Sequence, residues 1–214
     1  QHHPEVPVYV GSSRMRNARW ALLRDQPDLI LLDDAYQHLA VARDLNLLLI
    51  DAERGLGNRQ LLPLGELREP EHHWNRADAI MLTKANLGFS DALMHLLRQE
   101  LKVDRPIFRC DYLPIRLRRL DGQEVEDVKT LAKEAVFASC GIAQPRGFAQ
   151  ILRPLCQGLE DLSNWPDHHS YTGEDVQRLQ WLWRKSRAQR WVTTEKDAVK
   201  LAAFAELAEI VWIV

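Results

Sequence analysis

Four aliphatic residues run into two adjacent aspartates at Leu29-Ile30-Leu31-Leu32-Asp33-Asp34. Phosphoryl transfer needs a metal that bridges nucleotide oxygens, and a carboxylate at the tip of a rigid, buried strand can place Mg²⁺ or its water ligands accurately. An Asp pair can also simply cap the turn that follows. The next residues, Ala35-Tyr36-Gln37-His38, add an amide and an imidazole, so that four polar side chains fall within six positions, a density that packing alone does not explain. Asp33 and Asp34 are therefore the candidate metal ligands, with Gln37 and His38 beside them.

A second cluster combines Arg54-Gly55-Leu56-Gly57-Asn58 with Leu62-Pro63-Leu64-Gly65-Glu66-Leu67-Arg68-Glu69-Pro70. Glycines allow close approach of the backbone, and Arg68 offers a fork of donors suited to a phosphate or a carboxylate. A glycine-bearing surface loop with a local pairing of Arg68 and Glu69 is the plainer alternative. Arg14 and Arg16, just past a first short apolar run, could bind phosphate or could be a solvated helix start. The third cluster is Trp165-Pro166-Asp167-His168-His169-Ser170-Tyr171. Asp167 beside His168 could set the imidazole tautomer and orient a proton acceptor. The side chains of two adjacent histidines diverge, and no Cys or His lies at ligand spacing from them, which argues against zinc. Thr193 or Thr194, three or four residues before Asp197, reads first as a helix N-cap.

Short apolar strands alternating with amphipathic helices must position these groups, which is the signature of α/β architecture with a mainly parallel sheet. Strands are expected at Val6–Val10, Leu29–Leu32, Leu45–Ile50, Ala79–Leu82, Ala135–Ser139, Leu159–Asn164, Trp191–Thr193 and Glu209–Val214. Helices are expected at Arg14–Arg24, Ser90–Leu101, Gly147–Leu155, Gly173–Arg187 and Lys196–Ala205. Three of the early strands end in polar residues (Asp33 and Asp34; Asp51; Thr83 and Lys84), and in open α/β sheets ligands sit at that edge. The stretch from Ile107 to Asp121, with its Asp121-Gly122 turn, reads as antiparallel linker strands. The division expected is a core over residues 1–106, a linker over 107–134 and a second α/β subdomain, or a return to the core, over 135–214.

At 214 residues, 46% of them hydrophobic and 27% charged, the chain can bury a sizeable core. A net charge of -2 with a sequence pI of about 6.5 lacks the basic footprint of nucleic-acid binders, so nucleic acid is not an expected partner. The three cysteines show no C-x-x-C spacing and suggest neither a disulfide framework nor a metal site, which fits a reducing, cytoplasmic setting. None of the ten glycines precedes a lysine, so the phosphate-cradling G-x-x-x-x-G-K-[ST] loop does not occur. Either such a loop lies upstream of Gln1 or the protein is not of the P-loop kind. Thr83-Lys84-Ala85-Asn86 hints at a GTPase-like switch but lacks the N-K-x-D order that guanine recognition needs.

Together these residues resemble the tetraacyldisaccharide 4'-kinase family. Asp33-Asp34-Ala35-Tyr36-Gln37-His38 is similar to the family's DDGxQH element, with alanine for the usual glycine. The likeness continues through Ala42-Arg43-Asp44, Arg54–Asn58, Leu61–Pro70, Arg76-Ala77-Asp78, Gly141-Ile142-Ala143-Gln144-Pro145, Asp167-His168-His169 and Thr193–Lys200. The resemblance implies a P-loop-kinase-like α/β fold with its N-terminal part missing. It also implies ATP and Mg²⁺ as cofactors and a lipid A disaccharide precursor as acceptor, phosphorylated at its 4'-hydroxyl. Carried over residue by residue, Asp33 and Asp34 would hold Mg²⁺, and Gln37, His38, Arg14, Arg16, Arg68 and Glu69 would contact nucleotide or acceptor. His168, with Asp167, would partner a catalytic aspartate expected upstream of Gln1. The family implies a peripheral enzyme at the cytoplasmic face of the inner membrane, with membrane contact through an upstream segment. This chain by itself is expected to be soluble and without kinase activity. A non-catalytic sugar-lipid or metal-binding module derived from such a kinase is the alternative.

Overall fold

The computed structural model describes residues 5–88 and 90–214. The chain forms two compact units, residues 1–83 with 89–110 and residues 84–88 with 111–214.

In the first unit, α1 (Arg14–Arg24) starts at Ser13, whose hydroxyl accepts the Arg16 amide. The sheet has the order β1 (Leu47–Asp51), β2 (Ala79–Thr83), β3 (Ile107–Cys110), all parallel, with Leu47 opposite Ala79 and Asp51 opposite Thr83. A 3-10 turn at Glu71–Arg76 leads into β2, and α2 (Ser90–His95) runs on as a π-turn over Leu96–Glu100 before β3. Ile50, Ala52, Leu56, Trp74, Ile80, Leu82, Leu93 and Leu97 make its core. Trp74 anchors the 3-10 turn there.

The second unit carries a six-stranded sheet in the order β5-β4-β9-β8-β6-β7. Its strands are β4 (Arg116–Arg119), β5 (Val125–Asp127), β6 (Ala135–Cys140), β7 (Gly158–Asn164), β8 (Arg190–Thr193) and β9 (Val211–Ile213). β6 to β9 are parallel, while β4 runs antiparallel to β5 and β9. Of the expected linker 107–134, β3 thus belongs to the first sheet and the β4–β5 hairpin to the second. Between strands lie α3 (Pro145–Leu152), α4 (Gly173–Ser186) and α5 (Glu195–Leu201). Central β6 is buried on both faces, as crossover helices demand of a parallel strand. Phe137 meets Trp191 edge to face at 5.4 Å, and the Trp191 indole donates to Ser139 Oγ at 2.8 Å, so the largest buried ring also has its polar atom paired.

Two strand expectations fail. Val6–Val10 and Leu29–Leu32 form no ladder among the described residues, and Leu29 and Leu31 are 73% and 85% exposed. Aliphatic composition favours a strand only where a neighbour supplies hydrogen bonds and cover, and here β1 is the last described strand on its side of the sheet. Asp33 and Asp34 accordingly follow an irregular segment and occupy a turn, not the tip of a buried strand.

Candidate functional site

The turn that bears the aspartates is built from its own backbone and then fastened to a second loop. Ala35 is buried; its carbonyl accepts the His38 amide at 2.9 Å and an Arg43 guanidinium N–H at 2.5 Å. Asp34 sits at φ 44°, the left-handed region that aspartate tolerates better than most residues. Both aspartates remain exposed. Arg68 Nη1 donates to Asp34 Oδ1 at 2.6 Å, across 34 positions of sequence.

The residue after Arg68 is the most constrained carboxylate of this cluster. Glu69, its side chain only 12% exposed, accepts Arg76 Nη2 at 2.6 Å and shares 3.2 Å contacts with Gln37 Nε2 and His73 Nδ1. Burial pushes its carboxyl up, but the hydrogen bonds from Arg76, Gln37 and His73 with the Arg76 charge hold it below the usual carboxylate value. The loop that presents Arg68 and Glu69 is itself rigidly closed. Leu62 N–H donates to Leu67 O, Gly65 N–H to Leu61 O, and Asn58 Nδ2 to Leu64 O. A Cβ on Gly65 would stand 2.2 Å from Asn58 Oδ1, so only glycine fits there.

Of the expected ligands, Asp34, Gln37, Arg68 and Glu69 are thus brought together, with Asp33 and His38 on the same turn. Arg14 and Arg16 lie in the first turn of α1, and among the described residues neither guanidinium is hydrogen-bonded to the aspartates.

The second unit holds the Asp167-His168-His169 loop. Asp167 Oδ1 accepts Lys196 Nζ at 2.5 Å, and that hydrogen bond is the largest cause that lowers the Asp167 carboxyl below its ordinary value. His168, at φ 61° and 79% exposed, has its Nε2 3.7 Å from Asp167 Oδ2, too far for the orienting hydrogen bond expected between them. Lys196 has taken the carboxylate instead. The oriented imidazole is His169, whose Nε2 lies 3.0 Å from Asp175 Oδ2 and whose ring stacks on Trp165 at 4.7 Å. Asp175 also completes the capping box of α4 with Thr172, so one carboxylate serves cap and histidine.

Behind this loop Asp197 is fully buried and saturated. It accepts Gly141 N–H at 2.9 Å, Tyr171 O–H at 3.2 Å and Thr194 O–H at 2.6 Å, while Thr194 Oγ1 caps its own amide. Burial and the Asp197 charge raise the Tyr171 phenol well above its usual range. Burial likewise pushes the Cys140 thiol up to about 12. The N-cap expected of Thr194 is therefore present, and it is coupled to a carboxylate that ties the start of α5 to the Gly141–Pro145 turn. A shallow depression lined by Ile142, Pro145, Asn164, Trp165 and Asp167 opens beside it.

Arg76 and Lys196 stand in segments that carry the family resemblance but receive no site role from the sequence, and nothing in the sequence singles out His73. His73 and Arg76 lie four and seven residues after Glu69, a spacing that returns side chains to one face of a helical turn.

These features coincide with an extensive likeness to known proteins. The model of the tetraacyldisaccharide-1-P 4'-kinase family matches residues 1–214. The tetraacyldisaccharide 4'-kinase of Bdellovibrio bacteriovorus is 34% identical over 212 residues, which are 99% of this chain and 62% of that protein. Those of Syntrophus aciditrophicus and Methylobacillus flagellatus are 36% and 38% identical, over 96% and 94% of this chain and 57% and 53% of their own lengths. LpxK from Aquifex aeolicus, solved in complex with ATP, superposes with a TM-score of 0.65 at 27% identity, covering 94% of this chain and 56% of that one. The chain thus spans a little over half the length of the relatives it matches. Matched along its whole length by one family model and at more than 30% identity by several relatives, the chain belongs to the tetraacyldisaccharide-1-P 4'-kinase family.

Proposed function

We propose that this chain supplies part of the active site of an enzyme that transfers the γ-phosphoryl group of ATP to the 4'-hydroxyl of a tetraacyldisaccharide 1-phosphate, the lipid A precursor. The observation that carries the reading is the joining of two family motifs distant in sequence, Arg68 to Asp34 and Glu69 to Gln37. In the transfer a bond forms between the sugar 4'-oxygen and the γ-phosphorus while the bond from that phosphorus to the β,γ-bridging oxygen breaks. ADP leaves, and the hydroxyl proton passes to a base.

Asp33 and Asp34 fit a magnesium ion of the nucleotide-bound kind. They are exposed, and no group of three or more His, Cys, Asp or Glu side chains converges among the described residues. Mg²⁺ takes one or two carboxylates and fills its shell with water and phosphate oxygens, so two acids suffice. The ion would neutralise charge on the phosphates. Arg68, on an exposed and hence exchangeable pair with Asp34, is placed to turn its fork to a phosphate. Glu69, kept ionised, accepts hydrogen bonds and orders the loop that carries Arg68. His168, largely solvent-exposed, is available to a reaction partner, whereas Asp167 holds Lys196. No described helix is long and apolar enough to cross a membrane. A tetraacylated acceptor resides in a bilayer, so we assign the enzyme to the cytoplasmic face of the inner membrane as a peripheral protein.

Incubation of the gene product that carries this chain with tetraacyldisaccharide 1-phosphate and γ-labelled ATP tests the proposal. Label is expected at the 4'-position, falling about a hundred-fold in Asp34→Asn. Absence of transfer by the unaltered protein contradicts it.

A further inference from the structure

Arg76 lies outside every residue assigned above to metal, nucleotide or acceptor, yet it is the hub of the first cluster. One guanidinium nitrogen, Nη2, donates to Glu69 Oε2 at 2.6 Å. The same guanidinium covers the face of Tyr36, with Cζ 4.8 Å from the ring centroid. Tyr36 in turn donates its O–H to the His73 carbonyl at 3.1 Å, and its neighbour Gln37 donates to the other oxygen of Glu69. Arg76 is set between Trp74 and Ala77, both buried, so its backbone has little freedom. Its Nε is buried without a hydrogen-bond partner among the described residues, which is costly for a group that serves stability alone.

We propose that Arg76 is a positioning residue. By gripping Glu69 and the Tyr36 ring at once, it holds the Asp33–His38 turn and the Arg68–Glu69 loop in a single register, so that the two acids and Arg68 meet the phosphates of the nucleotide together. The inference deepens the kinase reading and rests on it. Arginine is required because the role needs a donor for the carboxylate and a flat cationic face for the ring at once, which lysine cannot supply together.

Two measurements test it. In the 214-residue chain, hydrogen exchange of the His38 amide, which is hydrogen-bonded to the Ala35 carbonyl, is expected to speed up several-fold in Arg76→Met and in Tyr36→Leu, with Arg76→Lys in between. In the gene product, Arg76→Met should lower kcat/KM about a hundred-fold, chiefly through kcat, as misplacement of a reacting group does. Arg76→Lys should recover part of the loss. Combining Arg76→Met with Glu69→Gln should cost little more than Glu69→Gln alone, since one residue acts through the other. Multiplicative losses in that double variant, or unchanged exchange of the His38 amide in Arg76→Met and Tyr36→Leu, overturn the positioning role while leaving the kinase reading in place. A gene product that transfers no phosphoryl group to the tetraacylated acceptor overturns both.

Discussion

Asp197 and Glu69 show how differently two carboxylates can be used. Asp197 is fully buried and has all its hydrogen bonds filled from Gly141, Tyr171 and Thr194. Its replacement by alanine leaves three donors without an acceptor and should cost about 2–4 kcal/mol in urea denaturation. Glu69 instead lies at the rim of a loop with its carboxyl held below the usual value by Arg76, Gln37 and His73 against the effect of burial. A carboxyl depressed in the folded state adds stability that is present above its unfolded value and lost as pH falls through the folded one. The stability of the unaltered chain relative to Glu69→Gln should therefore shrink on acidification from about pH 6 to about pH 3, read as the difference in urea midpoints. Cys140, buried and with its thiol raised to about 12, should resist alkylation in the native chain at a mildly alkaline pH that modifies half-buried Cys110, with Cys156, whose thiol burial also raises, reacting more slowly than Cys110. Mass mapping of the labelled protein checks this. Residue types announced most of the first cluster, because Asp, Gln, Arg and Glu crowded into short turns have few structural uses. They misled at Asp167, since the sequence shows its neighbour His168 but not Lys196, 29 positions away, which reaches it first.

At the level of elements the helices and the later strands were legible, and the reason is periodicity closed by good end signals. Thr172 and Asp175 form a reciprocal capping box at the start of α4, and Thr194 caps α5. Thr172→Ala should lower stability by about 1 kcal/mol, as loss of an N-cap does, with a matching drop in the thermal midpoint. Leu29–Leu32 was misread because a continuous apolar run specifies burial without naming the partner that provides it. The contacts of Arg76 and His73 with Glu69 were not legible because a 3-10 turn of six residues is too short to announce which face it presents.

For the whole molecule, alternation of strands and helices was enough to give an α/β fold with parallel strands, and the match in shape to LpxK agrees with it. The partition into two units was less legible, since contacts set it and the second unit takes back residues 84–88 from the middle of the first. The second unit's core depends on Trp191, fully buried against Phe137, and Trp191→Ala should cost about 3–5 kcal/mol and broaden its unfolding transition.

In the proposed reaction the Asp33–His38 turn and the Arg68–Glu69 loop work as one site on the phosphates of ATP. Its most direct test is the rate of 4'-phosphorylation of tetraacyldisaccharide 1-phosphate by the gene product and by its Asp34→Asn and Glu69→Gln variants, with thermal midpoints measured alongside. Losses of about a hundred-fold in kcat for both, with the Asp34→Asn midpoint unchanged and that of Glu69→Gln lowered only modestly, as loss of its ionised carboxylate requires, are the predicted result. Full activity in both variants would contradict it.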